Sequence, residues 1–211
     1  TTKAEISSNL FLMYYLDQLV LTGAINDVGA AVMVNVPKSY RAGIEISSKF
    51  LINSKLQWNT SLTLSRNKIA RFTEYIDNWD DWSQIPVDHH NTDLSFSPAV
   101  NANSELAFTP SKSFTFRLIS KFVGKQYVDN TQSDERSLDP YFVNSVHIAY
   151  TINPAFCDEI SINLLINNIL NHQFESNAWV YRYFSEGEFR VLDGYFPQAG
   201  INFAAGIMLK L

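Results

Sequence analysis

Cysteine is nearly missing from this chain: Cys157 is the only one in 211 residues, so no disulfide can form within it. Long apolar runs are missing too. No window approaches the roughly 18 uninterrupted apolar residues of a membrane-spanning helix, and the mean hydropathy is only -0.09. Glycine is sparse at 8 residues, with no Gly-rich phosphate loop and no Gly-x-Ser-x-Gly elbow. Positive charge is in deficit, 16 Lys and Arg against 21 Asp and Glu, and a net charge of -5 argues against the basic face that a nucleic-acid partner needs. The 4 histidines include no His-x3-His pair, and His147 has no paired nucleophile in its neighbourhood. These absences lead us to expect no enzyme, no resident cofactor and no closed metal site.

Strand formers are abundant. Aromatic residues make up 14% of the chain, with 15 Phe and 10 Tyr. Apolar and polar residues alternate at every second position in long stretches, the signature of a strand whose two faces meet different surroundings. From Leu94 to Phe108 one face reads Leu94, Phe96, Pro98, Val100, Ala102, Ser104, Leu106 and Phe108, and the other carries Asp93, Ser95, Ser97, Asn101, Asn103 and Glu105. The same alternation runs through Leu56–Ser65, Phe114–Val123, Ile160–Asn167 and Gln198–Leu211. A strand of a transmembrane barrel needs about 9 to 11 such residues, apolar toward lipid and polar toward the lumen.

Eight strands are expected, at about 4–18, 32–53, 55–74, 92–109, 112–127, 139–153, 158–173 and 197–211. Short turns near 53–55, 109–113 and 153–157 alternate with longer links at about 19–31, 75–91, 128–138 and 174–196. That asymmetry belongs to outer-membrane barrels, with short periplasmic turns and long external loops. The expected fold is therefore all-β, an up-and-down antiparallel transmembrane β-barrel segment of about eight long strands. A soluble β-sandwich acting as a binding or adhesion module is the alternative from another class, but sandwich strands usually run about 5 to 6 residues. The alternation assigns Phe96, Val100, Leu106, Phe116, Ile162, Leu164, Ile201 and Phe203 to lipid. It assigns Glu45, Asn59, Asn101, Asn103, Glu105, Arg117, Lys121, His147, Asn163 and Asn167 to the lumen. As a segment, the sheet is expected to leave open edges at its first and last strands.

Two of the long links carry unusual chemistry. The segment from Glu74 to Asp93 holds Glu74, Asp77, Asp80, Asp81, Asp88 and Asp93, with Trp79, Trp82, His89 and His90 and no Lys or Arg. It reads as a solvated acidic loop, as a substrate contact or as a cation ligand set. The last long link is aromatic, with Trp179, Tyr181, Tyr183, Phe184, Phe189, Tyr195 and Phe196 around Arg182 and Arg190. Such rings serve as an interfacial belt or as rigid surfaces for a ligand or partner. Long loops on a rigid scaffold commonly carry recognition, so the candidate ligand contacts are Trp79, Asp80, Asp81, Trp82, His89, His90, Trp179, Tyr181, Arg182 and Tyr183.

Several segments then resemble a known family. They include Asp17-Gln18-Leu19-Val20-Leu21-Thr22-Gly23, Ile25-Asn26-Asp27-Val28-Gly29, Lys38-Ser39-Tyr40-Arg41-Ala42-Gly43-Ile44-Glu45, Leu64-Ser65-Arg66-Asn67-Lys68-Ile69, and Phe72-Thr73-Glu74-Tyr75. Further on come Phe96-Ser97-Pro98, Val123 through Thr131, Leu138-Asp139-Pro140-Tyr141-Phe142, Asn167-Asn168-Ile169-Leu170-Asn171, and Tyr195-Phe196-Pro197-Gln198-Ala199-Gly200. In order and spacing they resemble the late-barrel part of TonB-dependent outer-membrane receptors of the Bacteroidetes. The resemblance implies that residues 1–211 are the C-terminal segment of a larger barrel of roughly 22 strands closed by an N-terminal plug domain. It implies location in the outer membrane, contact with lipid, a lumen face turned to the plug, and coupling to TonB through an N-terminal portion that this sequence does not contain. The implied activity is uptake of a scarce nutrient ligand. A metal chelate such as a ferric siderophore is the expected cargo, with cobalamin, haem or an oligosaccharide as alternatives.

Overall fold

The computed structural model describes residues 3–211. Thirteen strands occupy them: β1 (Ala4–Ile25), β2 (Ala31–Asn53), β3 (Leu56–Asn78), β4 (Gln84–Asp93), β5 (Val100–Ser111), β6 (Phe114–Val123), β7 (Gln126–Tyr127), β8 (Ser137–Leu138), β9 (Tyr141–Ile152), β10 (Glu159–Asn167), β11 (Glu175–Ser185), β12 (Glu188–Pro197) and β13 (Asn202–Lys210). Eight of these form one wall in the order β1-β2-β3-β5-β6-β9-β10-β13, each antiparallel to its neighbours. The wall is a single up-and-down layer, as the alternation and link lengths foretold. It is not a two-sheet sandwich.

The ladder register fixes the faces, because residues paired across an antiparallel ladder point the same way. Glu45, Thr63 and Asn101 lie in one row, Ser61 and Asn103 in the next, and Asn59 with Glu105 in the one after. Arg117 lies opposite His147, which lies opposite Leu165, flanked on its strand by Asn163 and Asn167. Asn103 and Lys121 are paired as well. All ten residues expected at the lumen thus share one face. Several bond along it: Asn9 donates to Glu45 at 3.2 Å, Asn59 to Glu105 at 3.2 Å, Asn103 to Ser61 at 3.3 Å and Asn167 to Asn202 at 3.0 Å. The opposite face is apolar and open, with Leu10, Leu12, Leu16, Ile162, Phe203, Ile207 and Leu209 exposed. No second protein layer covers these side chains, so hydrocarbon must supply their burial.

Strands β1, β2 and β3 run for 22, 23 and 23 residues. At about 3.3 Å per residue each is roughly 75 Å long, whereas crossing the apolar band takes about 10 tilted residues. More than half of each strand therefore stands clear of the membrane. The packed interior sits there: Val20, Val36, Ile69, Phe72 and Leu94 form one buried cluster, and Val128, Leu138, Ala178 and Val180 form another with Phe96 against it. A bulge lets the same strand serve both settings. Lys38 pairs Arg71 while Ser39 pairs Ile69, so Ala70 is an extra residue. Before it Ile69 faces inward, and after it Phe72 and Ile76 do.

Three expectations need correction. The strand expected at 92–109 is broken: β4 ends at Asp93, Leu94–Ala99 is irregular, and β5 starts at Val100. Phe96, assigned to lipid, has φ +49° and packs inside against the second cluster. Its alternation with Leu94 came from a protein core and not from a bilayer. Three of the four long links, finally, are largely strand, and the one at 128–138 is not. Residues 19–25 and 31–36 extend the β1–β2 hairpin, β4 folds back on β3, and β11 pairs with β12 and, in parallel, with the end of β3.

Candidate functional site

Along its length β3 changes partners. In the wall it pairs with β2 on one edge and β5 on the other, the latter only from Leu56 to Leu64. Farther out β4 takes one edge from Lys68 to Asp77, and Asp77 and Asn78 pair in parallel with Tyr183 and Phe184 of β11. The outer end of β3 is thus an inner strand of a four-stranded sheet, β4-β3-β11-β12. Local chemistry closes both hairpins. Asn78 Oδ1 accepts from Asp80 N at 3.0 Å and Asp81 Oδ1 from Ser83 N at 3.0 Å, while Glu186 and Gly187 take positive φ in the β11–β12 turn.

The two hairpins are fastened on both faces and at the tip. On one face Glu74 Oε2 accepts from Arg182 Nη1 at 2.6 Å and lies 2.9 Å from His89 Nε2. The His89 ring stacks on Phe72 with centroids 4.9 Å apart, and the Arg182 guanidinium sits 5.9 Å from the Phe189 ring centre. On the other face Asp77 accepts from the Tyr181 hydroxyl at 2.7 Å and from Gln84 Nε2 at 2.9 Å. Beside it Trp79 stacks on Tyr183 at 4.1 Å, and its Nε1 donates to the Tyr181 oxygen at 3.4 Å. At the tip the Asp80 carboxylate accepts from the backbone N–H groups of Glu186 at 2.7 Å and Gly187 at 3.1 Å. The Gln84 and Tyr181 hydrogen bonds hold the Asp77 carboxyl below the usual carboxylate range against a smaller opposing effect of burial. Burial, reinforced by Asp77, pushes the Tyr181 hydroxyl up.

A third element closes in from the link between β6 and β9. Asp129 Oδ2 meets Arg136 Nε at 2.6 Å with both side chains buried, and Arg136 Nη2 donates to Thr131 Oγ1 at 2.6 Å. Asn130 Nδ2 donates to the Leu21 carbonyl at 2.6 Å while its Oδ1 accepts from Ser95 N at 2.9 Å. This is why Leu94–Ala99 leaves the wall: its backbone is taken up by the loop, with Phe96 N donating to Tyr127 O at 2.9 Å. Between the β1–β2 hairpin, β3, the loop and β11 lies a cavity of about 440 Å³. Its lining combines the apolar Ala24, Ile25, Val32, Val34 and Val180 with the polar Glu74, Asp77, Asn130, Tyr181 and Arg182. That size falls in the range of small-molecule sites.

Of the residues expected to contact ligand, Tyr181 and Arg182 line this cavity, and Trp79, Asp80, His89 and Tyr183 belong to the mouth of paired hairpins around it, although 102 positions separate Trp79 from Tyr181. Four stand apart. Trp82 is exposed at the tip of the β3–β4 turn, Asp81 serves that turn, and His90 is exposed on the opposite face of β4 from His89. Trp179 lies across Gly194, where a Cβ would come within 2.3 Å of its Nε1, so only glycine lets the indole lie flat on β12. Sequence reasoning counted Glu74 and Asp77 among the acids of the loop but not as site residues, and missed Gln84, Asp129, Asn130 and Thr131. The signal for the last three was a run of side chains able to bond nearby backbone. Among the described residues no three His, Cys, Asp or Glu side chains converge as a metal set.

Comparison with known proteins agrees with this architecture. Residues 2–169 match the family described as TonB dependent receptor-like, beta-barrel. No curated protein sequence matches the chain. Among solved structures, the ferric yersiniabactin uptake receptor FyuA from Yersinia pestis superposes with a TM-score of 0.63 at 15% identity, over 98% of this chain and 27% of that one. The copper transporter OprC gives 0.63 at 14% identity over 98% and 29%, and the ferric-catecholate import receptor Fiu from K12 E. coli 0.61 at 14% over 97% and 25%. The chain thus spans little more than a quarter of the length of these neighbours. With its single-layer wall, lipid-ready outer face and folded mouth, it belongs to the TonB-dependent receptor β-barrel family of the outer membrane.

Proposed function

We propose that this chain is the C-terminal wall and part of the external mouth of an outer-membrane receptor, of the Bacteroidetes type, that takes up a scarce nutrient by TonB-dependent transport. Its cargo is a metal chelate such as a ferric siderophore. A plug domain occupies the polar face of the wall, and coupling to TonB resides in the N-terminal portion. Support for the cargo comes from the neighbours named above as a ferric yersiniabactin uptake receptor, a ferric-catecholate import receptor and a copper transporter. The observation that carries the reading is the mouth, where two hairpins 102 positions apart are joined around a cavity on the external end of the wall. Trp79, Tyr181, Arg182 and Tyr183 are its leading ligand contacts. Deletion of 79–91 or of 174–196 in the full-length receptor, with uptake of radiolabelled ferric chelates as the readout, tests the assignment. Uptake and binding should fall sharply while the barrel stays inserted. Uptake unchanged by both deletions would place recognition outside this chain.

A further inference from the structure

The cavity at the mouth is lined by three carboxylates, and they are not equivalent. Asp129 is paired with the Arg136 guanidinium and Glu74 with that of Arg182, so each of these charges is balanced within about 3 Å. Asp77 is held only by neutral donors, the Tyr181 hydroxyl and the Gln84 amide. Those donors shift its titration further down and neutralise nothing, so at neutral pH it brings a net negative charge to the cavity wall. Directly beside it stands the electron-rich stack of Tyr181, Trp79 and Tyr183, with Trp79 and Tyr183 centroids 4.1 Å apart. The same cavity is also lined by the aliphatic side chains of Ile25, Val32 and Val34.

A half-buried carboxylate beside aromatic rings, in a cavity with aliphatic lining, is the chemistry that holds an organic cation. The charge attracts over a short range at reduced dielectric, the ring faces favour a positive group, and the aliphatic side accepts its carbon skeleton. We infer that the mouth cavity grips a positively charged, amine-bearing apolar group of the ligand, with Asp77 as the counter-ion and Tyr181 as the adjoining aromatic face. The inference rests on the reading of this mouth as a recognition site and names the part of the cargo that this portion of the barrel holds. A polyanionic group fits the same place poorly, because no unpaired cation lines the cavity to receive it.

The test uses the purified full-length receptor and three probes of one shape: 3-phenylpropylammonium, 3-phenylpropan-1-ol and 3-phenylpropionate, with affinities read by calorimetry and by tryptophan fluorescence. The ammonium should bind at least about tenfold more tightly than the alcohol, with the carboxylate weakest. In Asp77→Asn that preference should shrink to about twofold or less. Tyr181→Phe keeps both the charge and the ring and should retain the preference, which separates loss of charge from loss of the local fold. Equal affinity for ammonium and alcohol, no ammonium binding, or an undiminished preference in Asp77→Asn each overturns the inference. Failure of the receptor to take up any metal chelate bears instead on the proposed transport, since these probes report on the cavity whether or not a chelate is the cargo.

Discussion

The wall and the mouth are made of the same strands and obey different rules. In the wall, β3 alternates Leu62 and Leu64 toward lipid with Thr63 and Ser65 toward the lumen, and no residue of its outward row is buried by protein. From about 15 to about 40 Å farther along, the same strand carries Ile69, Phe72 and Ile76 into a packed interior and Glu74 and Asp77 into ion-pair and hydrogen-bond networks. The wall is stabilised by transfer of its outer face into hydrocarbon and by ladder bonding between its neighbouring strands, which is obligatory where water is absent. The mouth stands in water and must bury its own apolar surface, so its links fold into hairpins and pack on one another. Substitutions should therefore have separable effects in the two regions.

The largest effect is expected at the buried ion pair of the mouth. Arg136→Ala leaves the buried Asp129 carboxylate without its counter-charge, with only the Thr131 N–H and hydroxyl on it, and should cost about 3 to 5 kcal/mol of local stability. Proteolysis at the 124–140 loop should become rapid while the wall keeps its heat resistance in detergent. Simultaneous loss of both would mean that wall and mouth form one cooperative unit. Next comes the wall's own vulnerability. Leu164→Arg, on the outward row of β10, should cost about 2 to 4 kcal/mol near the bilayer midplane, and Asn163→Arg on the polar row only a small part of that. Equal tolerance in a urea titration of the liposome-inserted barrel would reverse the face assignment.

Smaller effects sharpen the picture within the mouth. Asp80→Ala removes the acceptor of two backbone N–H groups at the β11–β12 tip and should cost about 1 kcal/mol, seen as faster hydrogen exchange at Glu186 and Gly187 with no change in β4. Slower or unchanged exchange there would show that the parallel pairing alone holds the hairpin. The smallest effect is with pH. Because the folded Asp77 carboxyl titrates below its unfolded value, its contribution is fully present above about pH 4 and fades only as pH falls through the lower folded value. Tryptophan emission from the mouth should stay constant from pH 7 to about pH 4 and change below that, and Asp77→Asn should remove the Asp77 part of the change. A transition centred well above pH 4 would assign the mouth's acid sensitivity to another group.

The eight wall strands and both of their faces were legible in the sequence, because a strand between lipid and a polar lumen must alternate at every step and nothing else in the chain interferes. Glu45, Asn59, Asn101, Arg117, His147 and Asn163 fell on one face by parity alone. Parity failed where the surroundings stopped being lipid. Leu94 and Phe96 alternate with Asp93 and Ser95 as wall residues do, yet Leu94 is buried in protein and Phe96 packs against it, since an apolar side chain carries no mark of whether hydrocarbon or other side chains will cover it.

Period and composition by themselves determined a long-stranded up-and-down barrel wall with two chemically distinctive links, one acidic and one aromatic. Only the tertiary structure decided that these links are hairpins extending the outer end of β3, and that Glu74 meets Arg182 and Asp77 meets Tyr181 across more than 100 positions. It also decided that Ala70 is an extra residue that turns the strand's inward face from Ile69 to Phe72. Alternation is a local property, enforced residue by residue by the pleat. Partner choice at the end of a strand depends on which distant edge arrives there, and no local spacing records that.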